Sequence, residues 1–214
     1  MGAGCCDQEP AFDGMTSGFR RALRAVIAIN AVMFGVEMTA GALAGSQALQ
    51  ADALDFLGDT LTYGISLFVL GMSLRVRATA ALFKGFSLAA MGLWVFGSTA
   101  YQILVLGVPN APVMGAVGFM AMAANLASVA ILMRYKEGDA NVRSVWLCSR
   151  NDAIGNVAVM LAAAGVWVGN TAWPDLIVAA IMAGLFLWSA AQIIRQALQE
   201  RDRTSARQTP ASSS

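Results

Sequence analysis

Three aspartates, Asp52, Asp55 and Asp59, stand close together in the stretch Ala51-Asp-Ala-Leu-Asp-Phe-Leu-Gly-Asp-Thr60. At about 100° per residue of an α-helix they fall in one narrow stripe. The stretch opens an apolar segment long enough to cross a bilayer, where each buried acid costs about 2.5–3.5 kcal/mol at the membrane centre before partners are counted. Such a stripe calls for a cation, a proton or a wet path. A second cluster, Cys148-Ser-Arg-Asn-Asp152-Ala-Ile-Gly-Asn156, lies in another apolar segment. Its Cys148, Asp152 and Asn156 are spaced i, i+4, i+8 and share a face, whereas Arg150 points nearly the opposite way. Asp55 and Asp59 repeat the i, i+4 spacing. Two antiparallel helices that each present such a pair can bring four donors to one point, the number that a tetrahedral divalent metal takes. The competing reading has these acids satisfied by Arg150, Asn151 or other helices.

Other polar groups in apolar surroundings extend the pattern. Asn30 and Glu37 are seven residues apart and share a face, either as groups supporting the acids or their entry path, or as polar glue between helices. Asp52 reads as a ligand or as an acid at the outer mouth, and Asn125 as glue. The twelve methionines fit packing roles better than a thioether path. Histidine is absent, which removes the side chain most often used for metal binding and proton transfer near neutral pH. Cysteines stand only at 5, 6 and 148. Adjacent Cys5 and Cys6, followed by Asp7, suit metal contact better than a disulfide framework.

The elements that must position these groups are helices in a bilayer. Of 214 residues 57% are hydrophobic and only 13% charged, with a net charge of +1, the composition of an integral membrane protein. The basic residues form short clusters, so nothing points to nucleic acid. Six apolar runs, near 21–43, 50–73, 78–105, 111–134, 143–168 and 174–197, each match the roughly 20 residues of a spanning helix. The expected fold is therefore all-α, an integral bundle of six transmembrane helices. Residues 1–18 read as an N-terminal tail, 19–198 as the transport domain and 199–214 as a disordered tail. The first run is too long for the apolar part of a signal peptide.

Lysine and arginine flank the bundle at Arg20, Arg21 and Arg24, at Arg75, Arg77 and Lys84, at Arg134, Lys136 and Arg143, and at Arg195, Arg201, Arg203 and Arg207. The other three connections have none. The positive-inside rule then makes both termini cytoplasmic, which six spans require. Run two descends and run five ascends, so Asp55 is expected level with Asp152, and Asp59 level with Cys148.

This pattern resembles the cation diffusion facilitator family of metal–proton antiporters. The resemblance rests on Asn30…Glu37, on Ala51-Asp-Ala-Leu-Asp55-x-x-x-Asp59, and on Cys148-x-x-x-Asp152-Ala-Ile-Gly-Asn156, on helices one, two and five of six. It implies a transport site made of Asp55, Asp59, Cys148 and Asp152. Cysteine departs from the family's usual His or Asp at that place, so Asn151 and Asn156 remain alternatives for the fourth position. The family's cytoplasmic C-terminal domain is not expected here, and a homodimer stays open. The function implied is efflux of a divalent metal ion by alternating access, driven by protons, across a plasma (inner) membrane. Zn2+ or Cd2+ comes first as cargo and Co, Ni, Fe or Mn next, with no cofactor and no enzymatic activity. Two other classes stay open: a transport-inactive metal-sensing adaptor built on Cys5 and Cys6, and a cation channel.

Overall fold

A computed structural model describes residues 17–68, 72, 74–105, 107–133 and 140–208; within these, the side chains of 66, 74, 75, 140–151, 154 and 200–208 are not described. Six helices make up the described chain: α1 (Ser17–Ala44), α2 (Gln47–Phe68), α3 (Leu74–Val105), α4 (Ala111–Leu132), α5 (Ala140–Gly169) and α6 (Trp173–Gln208). The all-α membrane bundle expected from hydropathy is the observed architecture.

Among the described residues, four helices carry stretches long and apolar enough to cross a membrane: Ser17–Ala44, Val76–Val105, Ala111–Leu132 and Trp173–Gln199. Helix α2 carries Asp52, Asp55 and Asp59, and buried acids favour a place among other helices over one facing lipid. The described side chains of α5 include a shorter apolar part at Gly155–Gly169.

Helix α3 lies along α6, α4 along α5, and α1 along α2 and α4, while α2 also touches α3, α5 and α6. Small residues permit the closest approach. A Cβ added at Gly85 would stand 2.7 Å from Ile194 Cγ1 and 3.2 Å from Ile193 Cγ2. One added at Gly92 would stand 3.0 Å from Leu187 Cγ. Gly85→Ala is therefore expected to destabilise the α3–α6 packing by about 1–3 kcal/mol, read as thermal unfolding in detergent.

One end of the bundle is tied by its connections. Gly45, at φ +69°, ends α1 in the left-handed conformation. The amides of Ser46 and Gly45 then reach the carbonyls of Gly41 (2.9 Å) and Ala42 (3.4 Å), closing a Schellman motif. The Asn110 amide donates to the Ala44 carbonyl at 2.9 Å, and the Asn110 side chain caps α4 by accepting from the Val113 amide at 3.2 Å. Asp175 of α6 reaches the start of α2, so all three connections free of Lys and Arg meet at this end.

Two boundaries differ from those expected. Helix α2 starts at Gln47 because Ser46 caps it, its Oγ accepting from the Leu49 amide at 3.1 Å. Helix α6 runs to Gln208, so 199–208 is helical and not a disordered tail. Helix formers continue through Glu200 and Arg203, which sit at i, i+3, and the first proline comes at Pro210. Cys5, Cys6 and Asp7 lie outside the described residues.

Candidate metal site

Helices α2, α3, α5 and α6 line a cavity of about 400 Å³. Asp52, Asp55 and Asp59 of α2 and Asp152 of α5 all line it. The stripe of α2 and Asp152 of α5 thus meet on a common space. The Asp152 carboxyl is a side-chain neighbour of both the Asp55 and Asp59 carboxyls. It therefore serves two turns of α2 and is not level with Asp55 alone.

Asp59 is the best supported of the acids. Asn30 of α1 donates from Nδ2 to Asp59 Oδ2 at 3.3 Å, and the Tyr63 hydroxyl lies beside the same carboxyl. Asp59 is 7% exposed and Asn30 1%, so the amide fixes the carboxyl from the protein side while the cavity lies on the other. Tyr63 carried a legible signal, since it stands at i+4 from Asp59, but an apolar-looking tyrosine in an apolar run passes for packing.

Asp52 lines the cavity and also meets Glu37: Asp52 is 2% exposed, Glu37 is fully buried, and their carboxyls are neighbours. Asn156 is 1% exposed with neither amide atom hydrogen-bonded among the described residues, and it is not part of the cavity wall. The side chains of Cys148, Arg150 and Asn151 lie outside the described residues, so the fourth position cannot be assigned between cysteine and asparagine from geometry. Among the described residues no three of Cys, Asp and Glu are drawn together closely enough to hold a metal ion. The acids share a chamber without forming a closed cage.

Lys84 of α3 and Ser189 of α6 also line the chamber. From the sequence Lys84 is a charge that marks orientation. In the fold, its position in the third turn of α3 turns it toward the acids' cavity.

Carboxylates of two helices gathered on one cavity of an all-helical membrane bundle define a cation-handling membrane protein. Residues 23–200 match the family model of the cation efflux transmembrane domain, and the chain belongs to the cation efflux family. The metal cation efflux system protein CzcD of Cupriavidus metallidurans is 26% identical over 199 residues, covering 87% of this chain and 61% of that protein. The cation efflux system protein CzcD of Alcaligenes sp. (strain CT14) matches to the same extent. The chain thus spans less than two thirds of the length of these curated relatives.

Proposed function

We propose that this chain moves a divalent metal ion out across the membrane by alternating access, in exchange for protons. The observation that carries the reading is the convergence of Asp55, Asp59 and Asp152, from two helices, on one cavity. The names of the CzcD relatives support metal cations as cargo. Carboxylates must be deprotonated to coordinate, so protons arriving at the same oxygens release the metal. With Cys148 as the fourth donor the set mixes hard oxygen with soft sulfur and favours Zn2+ or Cd2+ over Co, Ni, Fe or Mn. The connections without Lys or Arg that meet at one end support placing that end outside and both termini in the cytoplasm of a plasma (inner) membrane.

Vesicle flux with the reconstituted chain tests this. An imposed pH gradient should drive accumulation of Zn2+ or Cd2+ against its own gradient. Flux that follows membrane potential alone would mean a channel, and no flux with any of the six metals would mean an adaptor. Cys148→Ser should lower Cd2+ transport more than Mn2+ transport, since a hydroxyl is a hard, weak donor.

Asn30 provides a finer check, because it holds Asp59 without touching the cargo. Asn30→Ala is expected to weaken metal affinity about 10–100-fold, the usual cost of losing a group that orients a ligand. Metal titration of detergent-solubilised protein measures it.

A further inference from the structure

Glu37 of α1 and Asp52 of α2 have no part in the metal set above, yet they place a second pair of carboxyls inside the bundle. Glu37 is 0% and Asp52 2% exposed, and the two side chains are neighbours. Among the described residues neither Glu37 oxygen has a hydrogen-bond partner, and Asp52 Oδ2 has none either. Three buried acceptor oxygens without donors are costly, and two adjacent buried carboxyls cannot both stay ionised without a cation.

Among the described residues no cation is seen to neighbour this pair. Asp55 of α2 acts on both carboxyls and has the same sign. Helix α4, packed on α1, has no charged residue from Ala111 to Leu132. Across the cavity that Asp52 lines stand Asp59, Asp152 and Lys84. Asp175 of α6 is taken up by the start of α2. Asn30, about two turns before Glu37 on the same face of α1, gives its amide to Asp59.

We propose that Glu37 and Asp52 form a second cation site, distinct from the Asp55–Asp59–Asp152 cluster, which takes one small monovalent cation, a proton or a sodium ion. Resting on the transport reading, this gives the driving ion a second place, beside the carboxylates at which protons displace the metal. Asp52, on α2 one turn before Asp55 and lining the same cavity, links the two.

The test uses the full chain with Glu37→Gln, Asp52→Asn and the double variant, each neutral and nearly isosteric, with thermal unfolding in detergent to verify the fold. Infrared spectroscopy reads the site without transport. A protonated buried carboxyl gives a carbonyl band that the variants lose. If the band titrates with pH and ignores sodium, the ion is a proton; if it appears only when sodium is withdrawn, the ion is sodium. A band unchanged by pH and sodium, or the absence of any band that the variants remove under every condition, overturns the site. In vesicles, the variants should lose accumulation driven by the ion gradient by about tenfold or more, within the usual range of coupling between sites, while metal–metal exchange without a gradient persists. Undiminished gradient-driven accumulation in the double variant also overturns it, as does a loss of metal binding as severe as in Asp59→Asn. Should the parent chain move no metal at all, the transport reading fails, and the infrared result still decides the site.

Discussion

Asp59→Ala and Asp152→Ala are each expected to abolish metal accumulation in vesicles while the protein still folds and inserts. The loss should exceed the roughly 10–100-fold cost of removing a group that only orients a ligand. The geometry gives the reason. Asp152 is the described carboxylate of α5 on the cavity, and it neighbours both Asp55 and Asp59. Removing it leaves every described donor on α2, so nothing in that set bridges two helices. Asp59 is the acid held in place by Asn30 at 3.3 Å, and its loss removes a carboxyl whose orientation is fixed from behind. Direct metal titration separates binding from movement, since both variants should fail already at binding. Asp52→Asn should differ, keeping metal binding and losing the drive. Wild-type accumulation by either alanine variant would sink the assignment of the site.

How far the sequence led can be judged from these residues. Six helices were legible because a bilayer demands about 20 apolar residues per span, and that demand writes itself into local composition. The carboxylate stripe of α2 was legible because i, i+4 spacing is a local property of one helix. Which helices line the cavity was not, because it depends on contacts among α2, α3, α5 and α6 that no single run encodes. Lys84 shows the difference: next to a basic connection it reads as an orientation charge, and only the packing of α3 on α6 turns it to the cavity. Asn30 and Glu37 were picked out together by their shared face, yet they serve different acids, one Asp59 and the other Asp52. A shared face limits direction but not depth. The end of α6 was misread because charge was taken for disorder, although charged residues at helical spacing continue a helix into water.

Asp175 is the residue whose replacement should cost the fold most, and nothing in its surroundings in sequence announces it. It follows Trp173 and Pro174 in the first turn of α6, where an acid looks like an ordinary partner for that helix's own dipole. In the fold it turns instead to α2. Its Oδ1 accepts from Ser46 Oγ at 2.6 Å and from the Ala48 amide at 3.0 Å, and its Oδ2 from the Gln47 amide at 2.8 Å. These are backbone donors that the first turn of any helix leaves without intrahelical partners. At this site they are closed off from water, with Ser46, Ala48 and Asp175 all fully buried. A negative charge there also complements the positive end of α2. Asp175→Ala strands two amides and a hydroxyl, each worth about 1–3 kcal/mol when buried and unpaired, so a loss of several kcal/mol is expected. Asp175→Asn keeps one acceptor oxygen and should fall between the two. Thermal unfolding of the detergent-solubilised variants gives the order, and a change under about 0.5 kcal/mol for alanine would mean that α6 does not anchor α2. Because α2 carries Asp52, Asp55 and Asp59, metal affinity should fall with stability in this series, and Asp175→Asn should recover part of both.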